Sequence, residues 1–296
     1  MKNKKLVTHN GSFHADDVFA AATLSLLLEK NGETFEIIRT RDPKIVEEGD
    51  YVFDVGGIYD EKTNRFDHHQ MSFKEEREEG ILYSSFGLVW NKFGTNLCES
   101  LKAKEIVERK LVVPIDANDN GFNLVENKYD VSPYFLEYLF YSMRPSWSED
   151  NLNDDQMFFE SVKIAKLILS REIIKAKDLI LAEEKMIKNY QDSKDKRIII
   201  LDKDYFYGNV LNKFKEPLFV IYPRTDKVSW AVRAVRDDSN NFKNRKNLPS
   251  AWAGLRDEEL QKVTGVEDAI FCHRALFLAV ARSKEGAIKL AELALV

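Results

Sequence analysis

Cysteine and long apolar runs are scarce in this chain. Its 296 residues include only two cysteines, Cys98 and Cys272, without CxxC spacing. This pattern excludes both a disulfide framework and a cysteine-rich zinc site. The apolar runs, such as residues 18–28, are shorter than the roughly 20 residues that a membrane-spanning helix needs. We therefore expect no membrane span, and we expect both thiols to be reduced packing residues.

The chain also lacks an excess of positive charge. Lys and Arg total 44 against 49 Asp and Glu, which gives a net charge of -5. This balance argues against a protein that coats nucleic acid through bulk charge, although it permits a local basic groove. Residues 1–7 are basic but run straight into a strand-like segment, without the long apolar stretch and cleavage site of a signal peptide. We expect a cytoplasmic, unprocessed protein.

The N-terminal half alternates short apolar strands with helices. The candidate strands are residues 6–8, 35–39 and 51–55, and the first helix is expected over residues 15–30. A further helix is expected from Ser84 to Phe93, with Gly94 ending it. Helical character then runs towards Pro114, which leaves open whether Asp116 lies on a helix or a strand. The alternation predicts an α/β fold with a doubly wound, mainly parallel sheet.

Helical periodicity between residues 155 and 189 predicts one long helix or two consecutive ones. Beyond it, candidate strands lie at residues 197–201, 218–222 and 229–235, and a final helix is expected near residues 285–295. We therefore predict three parts of the chain. They are a DHH-like catalytic domain over 1–150, a helical connector over 151–192 and a smaller α/β substrate-binding domain over 193–296.

Histidines are clustered near the N-terminus. Four of the five lie within the first 69 residues, next to aspartates, in the segments HNGSFHADD (9–17) and DHH (67–69). The first segment follows the predicted strand at residues 6–8. The second lies at the end of a short strand or hairpin, which is expected because the turn-rich residues 60–64 join residues 57–59 to residues 65–67. Because the ligand crevice of an open α/β sheet lies at the carboxyl ends of its strands, these side chains are expected to meet there. Asp54, at the end of another predicted strand, joins them by the same argument.

Imidazoles and carboxylates without sulfur form a ligand set that suits Mn²⁺, Zn²⁺ or Fe²⁺. More carboxylates are present than one ion needs, which indicates two. Two ions can share a bridging carboxylate and a bridging water, lower the pKa of that water and clamp a phosphoryl oxygen. This combination is typical of phosphoester hydrolysis. The candidate ligands are His9, His14, Asp16, Asp54, His68 and Asp116.

Several of these aspartates have a second interpretation. Asp17 lies in the first turn of a predicted helix, where the helix dipole favours an acid whether or not it takes part in catalysis. Asp54 precedes two glycines and also fits a turn. Within DANDNG (116–121), one of Asp116 and Asp119 is a candidate ligand and the other an Asx-turn residue; we favour Asp116 as the ligand.

A weaker signal lies in the C-terminal half. Residues 224–256 hold eight basic residues against three acidic ones, with Trp230, Phe242 and Trp252 interleaved. This mixture suits single-stranded nucleic acid, whose phosphates bind cations and whose bases stack on rings. A solvated loop fits the same pattern equally well. Arg245 is the candidate substrate-binding residue of this segment.

A series of motifs runs through most of the chain. They are THNGSFHADD (8–17), RTRDP (39–43), DVGGIYD (54–60), RFDHHQ (65–70), SSFGL (84–88), DANDNG (116–121), LPSAWAGLRDEE (248–259) and SKEGA (283–287). Together these motifs resemble those of the melanocyte proliferating gene family, a branch of the DHH phosphoesterase superfamily. The resemblance covers nearly the whole chain.

The resemblance implies a metal-dependent phosphodiesterase with two Mn²⁺ ions; Zn²⁺, Fe²⁺ and Mg²⁺ remain alternatives. Members of the family are regarded as 3′-to-5′ exonucleases acting on RNA, with the active site in a cleft between two domains. The motifs imply the six ligands named above, with His14 standing where many other DHH enzymes carry an aspartate. His69 would face the substrate phosphate. We expect His69, with Asp67 or Asp17 as a nearby acid, to assist the leaving oxygen.

The chain departs from the family after its C-terminal histidine. Where the family has a small-residue segment of the form HASGFIGG, residues 273–281 read HRALFLAVA. Glycines let a backbone approach a ligand closely, and larger side chains would crowd such a cradle. His273 lies in an apolar context typical of a core histidine. We expect it near the substrate together with Ser283, and we expect Arg274 or Arg282 to contact phosphate.

The leading prediction is a two-metal phosphodiesterase that shortens single-stranded RNA or short oligonucleotides from the 3′ end. The changed segment after His273 favours an alternative, a phosphohydrolase of a small substrate such as a dinucleotide, cyclic dinucleotide or pyrophosphate. A third hypothesis is a non-catalytic nucleic-acid-binding module, against which the complete ligand set argues. The oligomeric state stays open, a homodimer included.

Overall fold

The chain divides into two compact units, Met1–Lys177 (unit 1) and Asp178–Val296 (unit 2). The computed structural model describes residues 3–149, 151–205, 208–226, 228–238 and 243–296. The boundary between the units falls inside a single helix, Asp154–Asp192. Of the two helical arrangements that the sequence allows between residues 155 and 189, the chain adopts the continuous one.

Unit 1 is built on a five-stranded sheet. Its strands are β1 (Lys4–Thr8), β2 (Phe35–Arg39), β3 (Tyr51–Phe53), β4 (Tyr59–Asp60) and β5 (Arg65–Phe66). In the order β2-β1-β3-β5-β4, the first three pairings are parallel and only β4 runs antiparallel. The predicted mixed α/β fold with a mainly parallel sheet is confirmed. Because β1 has β2 on one side and β3 on the other, the chain reverses its direction of winding at β1, where such folds bind ligands.

Within its described residues, unit 1 contains six α-helices and the first part of a seventh, and all of them except the short helix Pro43–Glu47 bury residues. They are α1 (Ala15–Lys30), α2 (Pro43–Glu47), α3 (Ser85–Cys98), α4 (Leu101–Val107), α5 (Val113–Asp119), α6 (Leu136–Met143) and the first part of α7 (Asp154–Asp192). Phe19 of α1 stacks on Phe86 of α3 with ring centroids 5.2 Å apart, and Phe140 of α6 meets Phe19 edge-on at 5.6 Å. This packing holds α1, α3 and α6 together beside the sheet.

The end predicted for α3 at Gly94 is wrong, because the helix continues to Cys98 and ends with Glu99 in the left-handed region at φ 55°. A Cβ atom at Gly94 would lie 2.8 Å from the ring of Trp90 and 2.9 Å from Cγ of Lys104. Glycine is required here for close packing between α3 and α4. From sequence alone, a glycine that permits close helix packing cannot be distinguished from a glycine that ends a helix.

Asp116 lies on a helix. A π-helical turn over residues 108–112 joins α4 to α5, and Pro114 falls in the first turn of α5. The wider turn accommodates a proline, whose ring would clash with the carbonyl four residues earlier in a regular helix. The helical path therefore continues through Pro114 to Asp119.

Unit 2 is a second α/β unit with a five-stranded sheet of order β6-β7-β8-β10-β9. Its elements are β6 (Ile198–Ile200), α8 (Gly208–Leu211), β7 (Phe219–Pro223), β8 (Trp230–Ala234), α9 (Asp257–Thr264), β9 (Ala269–Cys272), β10 (Leu278–Ala281) and α10 (Lys284–Leu295). Only β6 and β7 pair in parallel; the other pairings are antiparallel. Leu290 of α10 packs in the same core as Ile221 and Val232 of the sheet.

Cys98 and Cys272 are both buried and form no disulfide, as expected. Among the helices of the described ranges, none combines the length and apolarity needed to cross a bilayer.

We predict that Phe19→Ala lowers the free energy of unfolding of unit 1 by about 3–5 kcal/mol, because it removes a fully buried ring from the contact between α1, α3 and α6. Urea unfolding followed by circular dichroism measures the loss. Phe159→Ala is the control, since Phe159 is 39% exposed and its truncation should change stability by less than about 1 kcal/mol. Equal losses in both variants would contradict this packing.

Candidate metal centre

Neighbouring parallel strands bring the first two candidate ligands together. His9 follows β1 and Asp54 follows β3, and the register pairs Leu6 with Tyr51 and Val7 with Val52. The two strands therefore end at the same level. Nε2 of His9 lies 3.1 Å from Oδ2 of Asp54, while Nδ1 of His9 is 3.1 Å from the carbonyl oxygen of its neighbour. This second contact orients the imidazole so that Nε2 points at the carboxylate.

Asp54 is the central carboxylate of the cluster. Its Oδ1 lies 3.4 Å from Nε2 of His68 and 3.5 Å from Nδ1 of His69, and it accepts a hydrogen bond of 3.1 Å from the Ser85 hydroxyl. The backbone of Asp54 has a φ of 55°, in the left-handed region that non-glycine residues rarely adopt. Such strain persists where the surroundings enforce it and is concentrated at functional sites.

The start of α1 and the end of α5 supply a second set of ligands. His14 is the N-cap residue of α1, and Asp16 follows in its first turn. Asp119, the last residue of α5, brings Oδ2 to 3.4 Å from Nε2 of His68, and Asp16 approaches the same nitrogen at 3.9 Å. Nε2 of His68 is therefore approached by three aspartates, Asp54, Asp16 and Asp119.

Ligand atoms fall into three overlapping groups, each with its atoms within 4.8 Å of one another. The groups are His9, His14 and Asp54; Asp54, His68 and His69; and His14, Asp16 and Asp119. Asp54 belongs to two groups and His14 to two. An arrangement that shares residues between neighbouring groups suits a pair of ions.

Buried polar atoms without partners fit a cation at this place. Within the described part of the chain, both carboxylate oxygens of Asp16, Oδ2 of Asp17 and Nε2 of His68 are buried without a hydrogen bond. Such atoms are rare in native proteins because they are strongly destabilising. Divalent cations would satisfy them and neutralise the clustered carboxylates.

The pKa values of the cluster reflect burial of like charges. Burial, together with the nearby aspartates, raises the pKa of Asp16 well above its usual value. Burial also raises the pKa of Asp17 to about 7, with the charge of Asp54 adding to the effect, and it raises the pKa of Asp119. Burial acts in the same direction on Asp54, but the neighbouring imidazoles of His68 and His9 outweigh it and lower the pKa of Asp54.

The structure places Asp116 away from these groups. It is fully buried, with Oδ2 at 2.6 Å from Nη2 of Arg77 and Oδ1 accepting hydrogen bonds from the Ser84 hydroxyl at 2.5 Å and from the backbone of Gly87 at 3.1 Å. A Cβ atom at Gly87 would lie 2.0 Å from the Asp116 carboxylate. Glycine in the SSFGL motif therefore makes room for Asp116, which links the start of α3 to α5.

Asp67 and His69 form a pair at the edge of the cluster. Oδ1 of Asp67 is 2.8 Å from Nδ1 of His69, and its Oδ2 accepts a hydrogen bond of 2.6 Å from the backbone of Gly57. The hydrogen bond to Asp67 raises the pKa of His69 to about 9. With 63% of its side chain exposed, His69 can present a positive charge to an anion at neutral pH.

Asp17, a predicted catalytic acid, is fully buried behind His9. Its Oδ1 accepts a hydrogen bond of 2.9 Å from the backbone of His14, and its Oδ2 lies 3.3 Å from Nε2 of His9. The same side chain therefore contacts two candidate ligands and the first turn of α1.

Arg39 was not among the residues predicted for the site, but it supports the loop between His9 and His14. Its guanidinium donates to the carbonyl oxygen of Gly11 at 2.5 Å, pairs with Asp155 at 2.6 Å and stacks 4.5 Å from the ring centroid of Phe158. The side chain is 1% exposed. Only its place in the RTRDP motif could have drawn attention to it, since strand position alone does not show where the guanidinium points.

Two of the predicted substrate-binding residues of unit 2 hold the fold together. Arg245 donates to the carbonyl oxygens of Phe214 at 2.7 Å and Pro217 at 3.1 Å. Ser283 caps α10 by accepting a hydrogen bond of 2.9 Å from the backbone of Gly286, and its hydroxyl donates to Asp268 at 2.5 Å. These contacts occupy both polar side chains within unit 2.

The segment that departs from the family, residues 273–281, comprises the turn after β9 and the whole of β10. Nδ1 of His273 accepts a hydrogen bond of 3.0 Å from the backbone of Ala275, and its ring lies 4.4 Å from that of Phe277. Leu276 adopts φ 58°, a conformation that favours glycine. Arg274 and Arg282 are both exposed, so their charges are available to an anion.

The basic and aromatic segment of residues 224–256 is partly structural. Trp252 is buried in the core of unit 2, and Trp230 is half-buried with Lys284 over its ring at 5.7 Å. Lys227 and Phe242 lie outside the described residues. The interleaved tryptophans thus do not form a continuous stacking surface, because one of them faces the interior.

Residues 5–295 match the sequence model of a family described as MYG1_exonuc, uncharacterised protein family UPF0160. The MYG1 protein of Schizosaccharomyces pombe is 30% identical over 329 residues, covering 98% of this chain and 97% of that protein. The MYG1 exonuclease of Homo sapiens is 30% identical over 330 residues, covering 98% of this chain and 85% of that protein. A structure of RecJ with Mn²⁺ from Thermus thermophilus covers 99% of this chain and 52% of its own at 11% identity, and its TM-score of 0.30 is too low to support an argument.

We predict that Asp119→Asn weakens Mn²⁺ binding about tenfold or more, because the carboxylate beside His68 and Asp16 is lost. Asp116→Asn should retain the affinity and number of ions, since Asp116 pairs with Arg77. Calorimetric titration of metal-free protein measures both quantities, with the exposed Asp130→Asn as the control. Weaker binding in the Asp116 variant alone would instead make Asp116 the ligand.

The raised pKa values also predict how pH affects the metal-free protein. Asp17 binds its proton up to about pH 7 when folded but only to about pH 4 when unfolded. Its contribution to stability is therefore greatest below pH 4 and is lost as pH rises from about 4 to 7. Asp16 and Asp119, whose pKa values are also raised, likewise lose their contribution to stability as pH rises. Asp54 has a lowered pKa, so its contribution changes only at more acidic pH.

We expect the Tm in EDTA to fall between pH 5 and pH 7 relative to the Tm with saturating Mn²⁺, because bound cations stabilise the ionised carboxylates. Asp17→Asn should flatten the fall, and Asp130→Asn should leave it unchanged. A difference between the EDTA and Mn²⁺ curves that does not grow with pH would count against the cluster as described.

Proposed function

The chain belongs to the MYG1 family, the melanocyte proliferating gene family that its motifs indicate, and from that premise we propose that it is a Mn²⁺-dependent 3′-to-5′ exonuclease of single-stranded RNA or short oligonucleotides. At the coarser level it is a metal-dependent phosphoesterase of the exonuclease type. The observation that carries the proposal is the set of overlapping ligand groups that share Asp54 and His14.

The ligands of our proposal are all the residues of the overlapping groups except the exposed His69. They are His9, His14, Asp16, Asp54, His68 and Asp119. Asp119 replaces Asp116 in this set because Arg77 already compensates the charge of Asp116. When bound, two divalent ions supply a water of lowered pKa and neutralise charge on the phosphoryl oxygens.

His69 is the proposed phosphate-binding and proton-donating group. It is protonated at pH 7, since Asp67 raises its pKa to about 9, and Asp67 also fixes the direction of its ring. From this position the imidazolium donates a hydrogen bond to a phosphate oxygen and passes its proton to the leaving oxygen. Asp17, which contacts His9 and the backbone of His14, holds these two residues in place.

Residues 1–150 are the proposed catalytic domain and residues 193–296 the proposed substrate-binding domain. In the latter, the exposed Arg274 and Arg282 are the proposed phosphate contacts, whereas the internal hydrogen bonds of Arg245 and Ser283 give them a supporting role. The turn that carries Arg274 favours a second candidate function. Leu276 of this turn has a φ of 58°, a conformation that favours glycine, in the segment where the family carries small residues. This change in unit 2 is the reason to test hydrolysis of a dinucleotide or another small phosphodiester.

We predict that Mn²⁺ causes 5′-labelled single-stranded RNA to shorten stepwise and that EDTA prevents this. His68→Ala should lower the rate roughly 100-fold or more, because the imidazole that three aspartates approach is lost. A denaturing gel gives the ladder and its direction. Asp130→Asn, an exposed acid of the same unit, should retain full activity.

A dinucleotide assayed in parallel distinguishes the two candidate functions. Faster turnover of long RNA supports the exonuclease, whereas turnover of the dinucleotide alone supports the small-substrate hydrolase. No metal-dependent turnover of either would contradict both.

A further inference from the structure

A row of aromatic rings runs from the candidate metal centre onto the surface of unit 1. The ring of His14 meets that of Tyr141 with centroids 6.1 Å apart, Tyr141 is 6.3 Å from Tyr138, and Tyr138 is 5.8 Å from Tyr134. His9 continues the row inwards, with its ring 6.4 Å from that of His14. The tyrosine row, Tyr134, Tyr138 and Tyr141, is therefore continuous with two proposed metal ligands.

Helical spacing explains why the three tyrosines align. They are four and three residues apart, and residues at these spacings share one face of a helix. Tyr138 and Tyr141 belong to α6, and Tyr134 precedes its first turn, with its hydroxyl donating to the carbonyl oxygen of Tyr138 at 2.9 Å. The opposite face of α6 carries Phe140, which is fully buried against Phe19. The helix is thus anchored in the core while it presents the row outwards.

The row is unusually exposed for aromatic side chains. Tyr134 is 70% exposed, Tyr138 39% and Tyr141 41%. A contiguous exposed aromatic patch commonly marks an interaction site, whereas isolated exposed rings need no explanation. Packing within unit 1 does not account for three consecutive rings of this kind.

Arg144 adds a positive charge at the end of the row nearest the metal centre. It lies one further helical step along the same face, with its guanidinium 4.2 Å from the ring centroid of Tyr141. The guanidinium donates a hydrogen bond to the carbonyl oxygen of Phe13, the residue before His14. Its Nε is buried without a hydrogen-bond partner among the described residues. Arg144 as a whole is half-buried, so the charge of its guanidinium is available at this end of the row.

We propose that the tyrosine row binds the bases of a single-stranded oligonucleotide, with Arg144 holding a backbone phosphate close to the bond that is cleaved. This inference rests on the proposed function and names the surface that guides its substrate. Aromatic rings combined with positive charge are a common means of binding single strands without sequence preference, because every base has a face that can stack. The row therefore predicts tolerance of base sequence.

Direct binding in EDTA tests the row without turnover. A short fluorescein-labelled oligoadenylate is titrated with the full chain, and anisotropy reports its affinity. Tyr138→Ala and Tyr141→Ala should each weaken binding roughly 5- to 150-fold, the range that loss of one stacked base produces. Tyr138→Phe and Tyr141→Phe keep the ring and should stay within about twofold of the original affinity. Phe159→Ala is the matched control, because Phe159 is a helical aromatic residue of the same unit with the same 39% exposure as Tyr138.

Turnover with Mn²⁺ separates the row from the metal centre. The small diester bis(p-nitrophenyl) phosphate is too short to span the row, so the ratio of oligonucleotide turnover to small-diester turnover should fall in both alanine variants. If the original protein hydrolyses neither substrate, the proposed function fails, while the binding series still decides whether the row holds a single strand.

Three results would overturn the inference. The first is a loss of affinity below twofold in both alanine variants. The second is an equal loss in the phenylalanine variants, which would make the hydroxyl groups responsible instead of stacking. The third is a change in mass by sedimentation without a change in affinity, which would make the row a contact between two copies of the chain.

Discussion

The confinement of buried carboxylates around one histidine governs unit 1. Asp16, Asp54 and Asp119 all approach His68 within 3.9 Å, and they do so in a buried place where water cannot screen their charges. Such an arrangement is strongly unfavourable unless protons or cations compensate it. Compensation by protons appears as the raised pKa values of Asp16 and Asp119. Compensation by divalent cations is the alternative, and it is the one that a metal-dependent phosphoesterase uses.

Much of the surrounding structure serves to keep these groups in position. The parallel pairing of β1 with β3 brings His9 level with Asp54, and the strained backbone of Asp54 turns its carboxylate towards the histidines. Asp116 has a different part: its salt bridge with Arg77 links α5 to the segment before α3. A buried ion pair of this kind adds little net stability, but it fixes one geometry, and Asp119 depends on that geometry because it ends the same helix.

The metal centre and the tyrosine row share one physical basis. Helix α6 buries Phe140 against α1, and α1 begins with His14. The element that presents the exposed rings is thus packed directly on the element that supplies a proposed ligand. A short, well-anchored helix keeps such a surface at a constant distance from the metals, as positioning of a substrate bond requires.

The sequence by itself determined the family, the mainly parallel sheet of unit 1 and the clustering of histidines with aspartates, because these follow from local pattern and from motifs that are contiguous in the chain. Tertiary structure alone decided which partners Asp116 and Asp119 meet, although the two lie three residues apart on one helix. Their partners, Arg77 and His68, come from distant segments, and only folding shows which of them each aspartate meets. Gly94 follows the same rule: whether a glycine ends a helix or admits a neighbouring one depends on packing that no local pattern records.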